Sequence, residues 1–207
     1  MAVQPQTDWL ERAGRLQMCP LCLATSQYAS NYLEALCDRL VIDDRDPVST
    51  AALGDLCVDH MGVFEVRSRE AGLNLRTVVS VHLRRLNDLA EGLSELDLDG
   101  WLATRECGLC LSCNELALAC ATGLLTDLAR RGNPNASHLE DAGGLCASHF
   151  LTCWAITSAA ADREALRCIQ LAAVQRLAGI ARSGASGEWD QDQLKAFTVR
   201  AVTITSM

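Results

Sequence analysis

CGLCLSCNELALAC, residues 107 to 120, places four cysteines in fourteen residues, and its opening CGLC repeats the CPLC of residues 19 to 22. The offset is 88 residues. A second signature repeats with it: GDLCVDH, carrying Cys57 and His60, returns as GGLCASH, carrying Cys146 and His149, at an offset of 89. Trp101 in DLDGWL has its counterpart 88 residues on at Trp189 in SGEWDQ. Self-similarity at a fixed period marks a repeat architecture. The chain therefore reads as two tandem modules of about 88 residues, 1–100 and 101–207. Each runs CxxC, then 34 or 35 residues, then CxxH.

The stretches between these landmarks have helical periodicity. Tyr28, Tyr32, Leu36 and Leu40 recur every four residues, and Cys113, Ala117, Cys120, Leu124 and Leu128 do much the same. A longer stripe steps through Leu75, Val79, His82, Leu86, Leu89, Leu93 and Leu96, which predicts a long helix with one packed face. Its partner runs through Leu166, Ile169, Ala173, Leu177 and Ile180. Turn formers place loops at 43–47, 130–135 and 183–188, with short helices starting at Ser49 and Ser137. Only VRAVTITSM at 199–207 has a β-like pattern. The predicted fold class is all-α, two helical modules related by pseudo-symmetry.

Paired CxxC and CxxH motifs imply metal. Two thiolates from one helix start, with a thiolate and an imidazole from another, make the Cys₃His set used in structural zinc sites. Helix N-termini favour the thiolate form. The sites expected are Cys19, Cys22, Cys57 and His60 in the first module, and Cys107, Cys110, Cys146 and His149 in the second. Two zinc ions follow, with an iron–sulfur cluster or a dithiol redox role as the alternative, since thiolate sets suit both.

CPLC followed by NYLEALCDRL and then LCVDH resembles an uncharacterised group of prokaryotic helical proteins with a CPxC…LCxxH pattern. The resemblance covers mainly residues 19–64 and, with Gly108 in place of the proline, 107–154. It implies helices and metal binding, and no particular reaction.

Five of the eleven cysteines remain: Cys37, Cys113, Cys120, Cys153 and Cys168. Thr25, Tyr32 and Phe64 stand opposite Cys113, Cys120 and Cys153 in the first module, so these three thiols lie outside the shared pattern. The expectation is that they pack as small hydrophobes, with Cys113 and Cys120 facing the helix that carries Cys153. His82 reads as a core histidine and His138 as a solvated loop residue.

The formal net charge is −8, so nucleic acid is not the expected partner despite the five arginines of RSREAGLNLRTVVSVHLRR, residues 67–85. No signal-peptide order opens the chain and no run of eighteen apolar residues occurs. The placement expected is cytoplasmic, off the membrane, where clustered thiols point to metal or redox chemistry and not to disulfides. With no nucleophile elbow, phosphate loop or paired acid–base carboxylates, the chain reads as a non-enzymatic accessory module whose partner is another protein.

Overall fold

The computed structural model describes residues 7–16, 18–94, 107–128 and 134–183. Among these residues the secondary structure is helical throughout: α1 (Thr7–Leu16), α2 (Pro20–Ile42), α3 (Pro47–Gly54), α4 (Val58–Glu70), α5 (Leu75–Ser94), α6 (Gly108–Leu128), α7 (Pro134–Asp141), α8 (Ala147–Ile156) and α9 (Ala160–Ser183). The succession long, short, medium, long thus occurs twice, in α2–α5 and in α6–α9. The β-like C-terminal run and the expected module boundary at residues 100 and 101 lie outside the described residues.

Local chemistry sets the helix ends. Asp46 caps α3 by accepting from the Ser49 N–H at 3.0 Å and from the Ser49 hydroxyl, and Pro47 supplies a preset φ at the first helical position. That is why α3 starts at Pro47 and not at Ser49, and α7 likewise starts at Pro134 and not at Ser137. At the end of α4, Gly72 at φ 70° turns the chain while the Leu73 N–H bonds back to Ser68 O at 2.9 Å.

The chain forms two compact units, one of residues 26–115 and one of the segments before and after it. Helices α2 and α6 each contribute to both: α2 leaves its first turn in the outer unit, and α6 leaves its first two turns in the inner one. The inner core gathers Leu33, Leu36 and Leu40 of α2 with Leu53, Met61, Phe64, Val81 and Leu109. The outer core gathers Leu10 and Leu21 with Ala121, Leu124, Leu139, Leu145, Leu166 and Ile169.

Of the four predicted stripes, two need correction. On α9, Leu166, Ile169, Ala173 and Leu177 are all buried, as expected. On α2 the packed face is rotated: Leu33 is fully buried, whereas Tyr32 is exposed. On α5, among the described side chains, Thr77 and Val81 are buried while Val79, Leu83 and Leu86 face outward; Leu75, Leu89, Leu93 and Leu96 of the expected stripe lie outside the described side chains. The β-branched residues on both faces of VVSV make either side a plausible apolar stripe, and packing against α3 selects the Thr77–Val81 side. His82 therefore sits half-exposed with its Nε2 3.4 Å from Glu65 Oε1, outside the core.

Among the described residues one helix, α6, is long and apolar enough to cross a membrane. It also places Cys110 in its first turn and Ala117, Ala121 and Leu124 in the outer core. The arginine-rich 67–85 stretch is partly neutralised within α4, where Arg67 binds Glu70 at 2.6 Å and Arg69 lies 4.0 Å from Glu65.

Among the described residues Phe64 is the largest fully buried side chain, and it lies in the inner core with α4. Phe64→Ala should cost about 3–5 kcal/mol in urea unfolding. Ile42→Ala, at a side chain 88% exposed, should leave the midpoint unchanged. Equal shifts for the two variants would refute this packing.

Candidate metal centres

All four ligand motifs have one local geometry. Each begins on a cysteine immediately before a helix, and its second donor comes three residues later, in the first turn. The cysteine carbonyl accepts the first intrahelical bond in every case: Cys19 O from Leu23 N–H at 3.0 Å, Cys57 O from Met61 at 2.9 Å, Cys107 O from Leu111 at 3.1 Å and Cys146 O from Phe150 at 2.8 Å. Cys57 and Cys146 share the same extended conformation, at φ −70°, ψ 172° and φ −66°, ψ 161°. A helix start leaves N–H groups without intrahelical acceptors, so each motif offers its two donors from the positive end of a helix.

The eight residues gather into two clusters, and the pairing crosses the repeat. Cys19 and Cys22 meet Cys146 and His149, whereas Cys57 and His60 meet Cys107 and Cys110. The expected grouping within each module is corrected accordingly. In each half a long helix, α2 of 23 residues or α6 of 21, begins at the CxxC and carries the chain on before the CxxH is reached.

In each cluster the four donor atoms lie within 4.8 Å of one another. In the outer unit His149 Nδ1 is 3.4 Å from Cys19 Sγ, 3.3 Å from Cys22 Sγ and 3.2 Å from Cys146 Sγ, and the Cys22 and Cys146 sulfurs are 3.7 Å apart. In the inner unit His60 Nδ1 is 3.3 Å from Cys57 Sγ and 3.4 Å from those of Cys107 and Cys110, with Cys57 and Cys110 3.6 Å apart. Metal–sulfur bonds of about 2.3 Å and metal–nitrogen bonds of about 2.0 Å give tetrahedral edges of about 3.8 Å between sulfurs and about 3.5 Å between sulfur and nitrogen. Both clusters have nearly those edges, so the donors fit around a single ion.

The electrostatics match the crowding. The Cys146 thiol is held far below its ordinary range by contacts with Cys19, Cys22 and His149, and Cys22 is driven far above it by its bonds to Cys146 and Cys19. His149 rises to about 10 beside Cys146 and Cys19. In the other cluster burial works to raise Cys107, but the backbone N–H groups of Cys57 and Cys110 and the His60 ring bring it down to about 6. Burial and the neighbouring sulfurs push Cys110 up to about 12.

The remaining thiols stand outside both clusters, and the structure separates two of them. Cys113 packs against the inner core, while Cys120 packs against the outer core, to which Cys153 belongs. The expectation that both face Cys153 is corrected: α6 passes from one unit to the other between them. Burial raises all three thiols, Cys153 to about 12, and raises Cys37 to about 11. Cys168 is exposed, 3.4 Å from Glu164. One contributor has no motif in the sequence: Gln170 of α9 bonds the backbone next to Cys146.

No protein-family model, curated protein or solved structure matches the chain.

The crossed pairing can be read by thiol footprinting of the native full-length protein supplied with metal. Cys19→Ser should expose Cys22 and Cys146 to alkylation while Cys57, Cys107 and Cys110 stay protected, and Cys57→Ser should do the reverse. Labelling of Cys57 in the Cys19→Ser protein would restore the within-module grouping. Cys120→Ala and Cys153→Ala should leave metal content unchanged.

Proposed function

We propose that this chain is a non-enzymatic zinc protein, with one ion held by Cys19, Cys22, Cys146 and His149 and a second by Cys57, His60, Cys107 and Cys110. The reading rests on one observation: twice, three sulfurs and one Nδ1 converge at the edge lengths of a tetrahedron. A Cys₃His set is a structural zinc set, and four protein donors leave no open position for a reacting water. A four-iron cluster spreads its ligands over separate irons, which fits poorly with donor atoms all within 4.8 Å of one another. When bound, the ion supplies positive charge that holds three thiolates together and ties two helix starts into one joint.

Because each site draws on both repeats of the sequence, the tandem modules act as one metal-clipped scaffold. Its role is that of a cytoplasmic accessory module that binds another protein. The exposed apolar residues Val79, Leu83 and Leu86 on α5 support a protein partner.

Elemental analysis of the purified full-length chain should return two zinc ions, and replacement by cobalt should give the visible spectrum of tetrahedral sulfur-rich coordination. The ions should be lost on acidification, because thiolates and a neutral imidazole are the binding forms. A brown protein containing iron and labile sulfide would overturn the zinc reading in favour of the cluster.

A further inference from the structure

Where α3 packs against α5, six side chains line a cleft of about 390 Å³: Asp44, Arg45, Thr50, Arg76, Thr77 and Ser80. Arg76 and Thr77 stand in the first turn of α5, where the Arg76 N–H donates to Asn74 Oδ1 at 2.9 Å and the Thr77 N–H to Asn74 O at 2.9 Å. Thr77 is only 4% exposed, and its Oγ1 is buried without a hydrogen-bond partner, alone in this among the described side-chain atoms. A buried hydroxyl left unpaired is unfavourable, and native proteins pair nearly all of them. One that lines a cleft is a place for a ligand atom.

The rest of the lining decides the sign of that ligand. Thr50 Oγ1 spends its hydrogen on Asp46 O at 2.6 Å, and Ser80 Oγ donates to Arg76 O at 2.9 Å. The hydrogens left for a ligand are those of Thr77 and of two guanidinium groups. Arg67 and Arg69 are paired with Glu70 and Glu65, whereas Arg45 and Arg76 have no ion pair among the described residues. Asp44 sets one negative charge against their two positive ones, so the cleft is net positive in a chain of net charge −8. The first turn of α5 adds the positive end of a helix dipole. Donors and positive charge together select an oxyanion. A carboxylate is planar and is filled by a single guanidinium fork, whereas the three oxygens of a phosphoryl group can take two forks and a hydroxyl from different sides.

We propose that this cleft is a phosphoryl-binding site, in which Arg45 and Arg76 clamp the charge and Thr77 Oγ1 donates to one of the phosphoryl oxygens. None of the lining residues is a metal donor, so the site does not depend on which ion the clusters hold. Asp44, Arg45, Arg76 and Ser80 are exposed, which leaves the mouth open for the rest of the ligand. A phosphorylated side chain of a protein and a phosphorylated small molecule both supply the group.

The test is a titration of the isotopically labelled full-length protein with inorganic phosphate, followed by amide NMR shifts at an ionic strength held constant with chloride. Saturating shifts should centre on Arg45, Arg76, Thr77 and Ser80. Arg45→Gln and Arg76→Gln should each weaken binding about tenfold or more, and Arg69→Gln should leave it unchanged. Thr77→Val should weaken it about three- to tenfold. Its urea midpoint should nevertheless hold or rise, because a methyl group replaces a hydroxyl that has no partner in the free protein. A purely structural threonine would lower the midpoint instead. A blocked phosphoserine peptide and glycerol phosphate distinguish the two sources: the one that binds more tightly names the source, and either supports the site. Absence of saturable shifts at these amides, unchanged binding in Arg45→Gln and Arg76→Gln, equal weakening by Arg69→Gln, or a lowered midpoint in Thr77→Val would overturn the assignment.

Discussion

The rigidity of a helix is the constraint on which this architecture turns. Each CxxC opens a helix of more than twenty residues, and a helix of that length does not fold back on its own first turn. The second motif of each repeat meets the CxxC of the other repeat. Two similar sequences placed in one chain satisfy each other reciprocally. The same constraint explains why the compact units are not the sequence repeats: a segment that carries its ligands to another centre also carries its core residues there. Leu21, between Cys19 and Cys22, is buried in the outer core, while Leu33, eleven residues past Cys22, is buried in the inner one.

Charge explains why the donors can be so close. Three thiolates within 4.8 Å repel one another strongly, and burial removes the water that would screen them. The protein answers with helix N-termini and an imidazole, and the thiols divide unequally, Cys107 falling to about 6 and Cys110 rising to about 12. A divalent cation at the centre favours the thiolate form of all three at once. This is the physical sense in which a donor set of this kind is complementary to a metal ion.

Much of this could be read from the sequence, for identifiable reasons. The eight donors that cluster are the eight the repeated motifs single out, because CxxC and CxxH have a meaning at the level of one helical turn. The α9 stripe was legible because Leu166, Ile169, Ala173 and Leu177 recur at helical spacing with Arg167, Gln175 and Arg176 on the other side. The face of α5 was not, since Val78, Val79 and Val81 put apolar groups all round one turn and only the packing against α3 decides between them. The grouping of donors failed at a longer range. Spacing reports that two motifs are 34 residues apart, but not which CxxC each CxxH meets in the fold. Gln170 was invisible for a related reason: a side-chain amide that bonds backbone 25 residues away leaves no periodicity and no motif.

Eleven cysteines in one chain raise the question of how the ligands are distinguished from the rest, and position along a helix answers it. A cysteine before the first turn faces N–H groups that have no carbonyl to bind, and these add to its neighbours' effect: Cys146 is lowered chiefly by Cys19 and Cys22, then by the His149 ring and backbone N–H, and Cys107, against burial, by the backbone N–H groups of Cys57 and Cys110 and by the His60 ring. A cysteine in the interior of a helix has no such donors, since each N–H there is engaged with the carbonyl four residues back. Burial then acts unopposed by backbone, and the thiol rises: Cys37 within α2, Cys113 and Cys120 within α6, Cys153 within α8. Cys110 and Cys113 show the contrast over a single turn of one helix. Both are raised, yet Cys110 points among the donors of its cluster, while Cys113, three residues on, packs against the inner core. A protonated thiol among hydrocarbon is a poor nucleophile and a poor ligand. Six thiols thus stand at helix starts among the metal donors, Cys37, Cys113, Cys120 and Cys153 pack in helix interiors, and Cys168 is exposed.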